Sequence, residues 1–163
     1  MPVKKKKSTT SKKKKVYYVP GQSEHTLQCE VIEWCNHMAG IEKRLEYPAE
    51  DFGTIPLLEW IYHCPNGSHK SKIAAVKFKK AGLKSGVPDL FLPVPRFHRV
   101  EGAPHNMGAV RCGLFIEMKK PGGTTTKNQD RWLEHLNSVG FKAIVCESSK
   151  DAISEIKDYI SYG

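Results

Sequence analysis

An α/β fold, with one mixed sheet covered by helices, is predicted by two features of this 163-residue chain. Stretches with apolar residues at helical spacing alternate with apolar runs too short to be helices. Those runs, "DLFLPV" (89–94), "GLFIEMK" (113–119) and "FKAIVCE" (141–147), are set off by turn-forming residues, as strands are. The length suits one domain with a real core and is short for two.

Each element has its own justification. In "SEHTLQCEVIEWCNHMAG", Ser23 is placed to cap a helix, Glu24 sits in the first turn, and Leu27, Val31, Trp34, Cys35 and Met38 share a face before Gly40. "IEKRLEYPAEDFGTIP" is polar and broken by Pro48, Gly53 and Pro56, so it reads as a connection. "LLEWIYHC" is a strand or short mixed element stopped by "PNG", and "SKIAAVKFKKAG" is a second helix ending at Gly82. "DLFLPV" and "GLFIEMK" are neighbouring strands, and the Gly-, Pro-, His- and Arg-rich segment between them reads as a long exposed loop. "TTTKNQDRWLEHLNSVG" restores helical spacing through Trp132, Leu133, Leu136 and Val139, with Trp132 as a core anchor. "FKAIVCE" is a strand and "SKDAISEIKDYI" a final helix.

The net charge of +9 is concentrated at one end. Lys4, Lys5, Lys6, Lys7, Lys12, Lys13, Lys14 and Lys15 supply most of it, and the rest of the chain carries about +1. Residues 1–20 therefore read as a disordered lysine-rich tail able to attract phosphate, ahead of a domain over 21–163. Lysine clusters of this kind also solubilise a chain or serve nuclear import. No run approaches the roughly 18 apolar residues of a membrane span, and no secretory leader is apparent, so an intracellular, soluble protein is expected. Five cysteines without a CxxC pair suggest reduced core residues, with neither a disulfide framework nor structural zinc.

Chemistry concentrates at residues 86 to 120. Side chains alternate along a strand, so Glu117 and Lys119 share one face while Ile116, Met118 and Lys120 take the other. Asp89, after Gly86-Val87-Pro88, would face them if the two strands pair as an antiparallel hairpin. Such a cluster can bind a hard divalent cation through oxygen, and the cation can ligate a phosphate and acidify water. Lys119 would orient or deprotonate that water, or stabilise charge developing on phosphorus. An exposed Glu–Lys pair on an edge strand is the plainer reading of the same residues.

"GVPDLFL", "LFIEMKKPGG", "NQDRWLEHLNSVGF" and "AIVCESSKDAISEIKDYI" resemble the VRR-NUC domain, a branch of the PD-(D/E)xK nuclease superfamily, over about Ser23 to Tyr159. The segment "HCPNGSHKSKIAAVKFKKAGLKSGVPDLFLPV" is similar to small stand-alone members, many of them phage-encoded. The resemblance implies a restriction-endonuclease-like sheet flanked by helices and a Mg²⁺- or Mn²⁺-dependent DNA endonuclease. It makes Asp89 and Glu117 metal ligands, with the Met118 carbonyl a third, and Lys119 the catalytic lysine. Gln129 matches a glutamine near the active site, and Glu24 an upstream acid able to hold a second ion, with Glu30 and Glu33 as competitors on the same helix. Lys70, Lys72, Lys120 and the tail lysines are the expected nucleic-acid contacts. Stand-alone relatives imply a homodimer acting on branched DNA such as Holliday junctions. A non-catalytic nucleic-acid-binding module on the same fold is the alternative. Ser68 and His69 depart from the Gly and basic residue expected there.

Overall fold

The computed structural model describes residues 22–42, 57–65, 72–98 and 108–161. The lysine tail, the connection over 43–56, and Lys70 with the "NGSHK" loop lie outside the described residues.

Helix α1 (Glu24–Glu42) starts where Ser23 Oγ accepts the Thr26 N–H at 3.1 Å. Its residues Leu27, Val31, Cys35 and Ala39 recur every fourth position and are buried, with Trp34 and Met38 packed alongside. A 3₁₀ turn, Leu57–Trp60, precedes strand β1 (Tyr62–His63), so "LLEWIYHC" is a mixed element. Helix α2 (Lys72–Lys80) leads through the turn at Ser85–Gly86 to β2 (Leu90–Leu92). After β5 (Leu114–Met118), α3 (Lys127–Ser138) crosses over to β6 (Lys142–Cys146), and α4 (Ser149–Ile160) follows.

The four-stranded sheet runs β1-β2-β5-β6, antiparallel through the first two pairings and parallel between β5 and β6. Parallel pairing is what a helical crossover such as α3 permits. One face of the sheet presents Leu90, Leu92, Leu114, Ile116 and Met118, all buried under α1 and α4. Each such side chain contributes roughly 1.5–3 kcal/mol of burial. The opposite face carries Phe91 stacked on Phe115 at 4.0 Å, with Phe141 and Tyr62 set edge-on to the pair. Among the described residues no helix is long and apolar enough to cross a membrane.

The segment between the hairpin strands departs from its reading as a loop. It holds a second, two-stranded antiparallel sheet, β3 (Arg96–His98) with β4 (Gly108–Arg111), whose register shifts between Phe97 and His98. Its strands are three and four residues long and hemmed by Pro93, Pro95 and Gly113, too short for alternation to register against those punctuators. Side chains pin it to the body: Arg96 Nη2 donates to the Ile160 carbonyl at 2.5 Å, and the Tyr159 hydroxyl to the Val94 carbonyl at 2.6 Å.

Candidate active site

The antiparallel register sets Leu90 opposite Ile116, and one step further along the same ladder Asp89 stands opposite Glu117. Both belong to the face that carries Phe91 and Phe115. The sheet's second face is thus aromatic at one end and acidic at the other. Asp89, Glu117 and Lys119 are the buried charged residues of the described chain, and Glu117 is only 1% exposed. The expected antiparallel pairing, and the shared face of Glu117 and Lys119, are therefore present.

Asp89 is held on both sides. Its carbonyl accepts the Cys64 N–H at 2.8 Å, which extends the β1–β2 ladder, and its Oδ2 accepts the Met118 N–H at 2.9 Å. The residue facing Met118 in this register is Pro88, which has no N–H to donate. A strand residue's N–H and C=O share one edge, so the Met118 carbonyl lies on the Asp89 side without a ladder donor from Pro88.

Glu117 receives two donors on one oxygen. Lys119 Nζ donates to Oε1 at 2.7 Å, and Gln129 Nε2 donates to the same atom. Gln129 is oriented by its other end, since its Oε1 accepts the Thr126 N–H at 2.9 Å in the capping box that starts α3. Glu117 Oε2 is buried with no hydrogen-bond partner. A buried carboxylate oxygen left this way costs free energy unless a ligand takes it up.

Glu24 brings its carboxylate to 3.8 Å from Lys119 Nζ. Glu30 is engaged elsewhere, accepting from Gln22 Nε2 at 2.6 Å and from Ser149 Oγ at 2.5 Å, and Glu33 is exposed. Of the three helix-one candidates, Glu24, Glu30 and Glu33, Glu24 is the one the fold brings to the cluster. Lys120 is exposed, and Lys72 opens α2. Among the described residues no group of three or more His, Cys, Asp or Glu side chains converges as a metal nest. A metal here would take two carboxylates, a main-chain carbonyl and water, an all-oxygen set of the kind Mg²⁺ and Mn²⁺ accept. The unpartnered Oε2 and the carbonyl beside Pro88 fit that requirement.

Burial pushes the Glu117 carboxyl up to about 7, with Asp89 adding to the rise and the Lys119 hydrogen bond opposing it. Burial alone would lower the Lys119 ammonium, but Glu117, Glu24 and Asp89 together raise it above the ordinary lysine value. In metal-free protein, Glu117 holds its proton over a window, from about pH 4 to about 7, in which the unfolded chain has already lost it. Its contribution to stability is full below that window and is lost as pH rises through about 7. Melting temperatures in EDTA should fall between about pH 5 and pH 8, and Glu117→Gln should flatten the fall. An unchanged slope in that variant would assign the dependence to other groups.

The turn before Asp89 rests on α3. Gly86 has φ +88°, and a Cβ there would lie 2.6 Å from the Asn128 carbonyl carbon. The Trp132 indole N–H donates to the Ser85 carbonyl at 3.1 Å, and Asn128 Nδ2 to Ser85 Oγ at 3.4 Å. Trp132 is consequently a half-buried clamp on this turn rather than the core anchor its spacing predicts. Helical periodicity identifies an inward face but not whether core or loop lies beneath it. Gly86→Ala combines a left-handed backbone with a backbone clash, so a loss of about 1–3 kcal/mol is the minimum expected in urea unfolding. A variant as stable as wild type would show that the turn yields easily.

Comparison with known proteins gives the family. The VRR-NUC domain model matches residues 22–150. A solved structure described as a VRR_NUC domain protein is similar at 29% identity, with a TM-score of 0.63, over 89% of this chain and 93% of its own. No curated protein matches. With the match spanning most of the sequence and enclosing Glu24, Asp89, Glu117, Lys119 and Gln129, the chain belongs to the VRR-NUC domain family, a family of nuclease type.

Proposed function

We propose that the chain is a metal-dependent DNA endonuclease that hydrolyses phosphodiester bonds at the Asp89–Glu117–Lys119 site. The observation carrying this reading is Glu117 Oε2, buried and unpartnered beside a second carboxylate. Asp89, Glu117 and the Met118 carbonyl would hold Mg²⁺ or Mn²⁺. The bound ion would supply a Lewis acid for a phosphate oxygen and a lowered pKa for the attacking water.

The chain's own groups do the rest. Lys119 meets Glu117 at 2.7 Å as a hydrogen-bond donor, so it enters the site as an ammonium able to neutralise charge developing on the phosphate. Gln129, tied to the α3 cap, keeps Glu117 from rotating. Glu24, half exposed at the site's margin, is placed to bind a second ion or a water. The tail lysines, together with Lys70, Lys72 and Lys120, would add affinity through counterion release without taking part in chemistry. Selectivity for branched DNA such as four-way junctions, read by a two-fold homodimer with two active sites, extends the proposal.

The test is incubation with labelled linear, flapped and four-way DNA in Mg²⁺, Mn²⁺ or EDTA. Cutting that needs either ion and favours the four-way substrate is expected. Binding without cutting under every condition would leave a nucleic-acid-binding module instead, and cutting in EDTA would remove the metal from the proposal.

A further inference from the structure

The α3 helix that steadies Glu117 also forms one wall of an open groove of about 790 Å³, whose other wall is the turn at Lys84–Ser85. Asn128 in its lining is the residue before Gln129, and Ser85 opens the turn that leads to Asp89, so both walls belong to segments that also supply the candidate active site. Its lining combines an aromatic plane, Trp132, with two basic side chains, Lys84 and Arg131, against a single carboxylate, Glu134. Lys84, Arg131 and Asn128 are exposed, while the indole is half-buried with its N–H already committed to Ser85. With the indole's polar atom engaged, what the ring can still offer a ligand is its π-face.

Phosphate-binding cations beside an aromatic plane are what an unpaired nucleotide needs. The sugar–phosphate backbone takes the charges and the freed base stacks on the ring. A base within continuous duplex is stacked on its neighbours and cannot reach such a plane without being extruded. We propose that this groove takes a nucleotide whose base is unpaired, stacked on Trp132 with its phosphates against Lys84 and Arg131. The site thereby distinguishes a branch point or single-stranded segment from uninterrupted duplex. The inference rests on the nuclease reading of the adjacent site and supplies it with a means of recognising structure.

The test measures binding, in EDTA so that nothing is cut, by fluorescence anisotropy with single-stranded, flapped and fully paired oligonucleotides. Wild type should favour the first two. Trp132→Ala should weaken them by roughly 5- to 150-fold, the range for loss of one stacked base, with little change for paired duplex. Arg131→Gln should weaken all three alike and reduce the slope of log affinity against log salt by roughly 0.7–0.9. Equal losses on all substrates in Trp132→Ala, or none, would overturn the proposal.

Because Trp132 also clamps the Ser85 turn, Trp132→Phe provides a second readout. Stacking of single-stranded oligothymidine should quench wild-type tryptophan emission, and the phenylalanine variant should lose most of that quenching while still binding. Full retention of quenching would place the contact at Trp34 or Trp60 and sink the groove. A protein that discriminates through Trp132 yet cuts no DNA would keep the groove and refute the nuclease. Cutting, with discrimination unchanged in Trp132→Ala, would do the reverse.

Discussion

Asp89→Ala and Glu117→Ala are each expected to lose DNA cutting by at least about 10³-fold, the upper range for removing one element of electrostatic stabilisation. Neither should lose much DNA affinity. The reason lies in the proposed ligand set: it would have two carboxylates and one carbonyl, and among the described residues no group of three or more His, Cys, Asp or Glu converges there to make up for a missing one. The surface cations are untouched by either change. The two variants should differ in stability, because Asp89→Ala strips the Met118 N–H of its acceptor whereas Glu117→Ala removes a buried carboxylate with an unpartnered oxygen. Cutting assays with single-turnover kinetics, alongside thermal melts in EDTA, separate these effects. Metal-dependent cutting that survives in either variant would displace the site from these residues.

Lys119→Ala should cost roughly 10²–10³-fold in turnover, the range for loss of one preorganised charge in a water-poor site. Metal affinity should change less, because Lys119 pairs with Glu117 Oε1 and leaves Oε2 to the ion. Lys120→Ala should change affinity slightly and turnover little, as its side chain is exposed, whereas that of Lys119 is buried against Glu117. Comparing the metal-concentration dependence of both variants checks the assignment. Should Lys120→Ala prove the more damaging, the chemistry would lie on the opposite face of the sheet.

Much of this arrangement was legible in the residues themselves. Two-residue alternation placed Glu117 and Lys119 together, and the strand lengths of "DLFLPV" and "GLFIEMK" allowed the hairpin that brings Asp89 opposite. Gln129, matched to a glutamine near the site, donates to Glu117 with one end of its amide and caps α3 with the other. The β3–β4 sheet escaped because strands of three and four residues carry too few side chains for alternation to outweigh Pro and Gly. Choosing Glu24 over Glu30 and Glu33 needed coordinates, since all three share one helix and only packing decides which reaches Lys119. The groove at Trp132 was equally hidden: its two walls lie more than forty residues apart in the chain.

The bond from the Met118 amide to the Asp89 carboxylate has a consequence for how the site is assembled in time. Glu117, Lys119 and Gln129 belong to one continuous stretch, β5 with the start of α3, whereas Asp89 joins them only when β2 docks. A brief lifting of the Ser85–Asp89 turn would disarm the centre while leaving β5, α3 and β6 folded, a local opening far less costly than global unfolding. The Met118 hydrogen is shielded only while Asp89 is in place, so its exchange with deuterium acts as a clock on how often the centre comes apart. An ion that holds the two halves together should slow that clock more than it slows exchange along the parallel β5–β6 ladder.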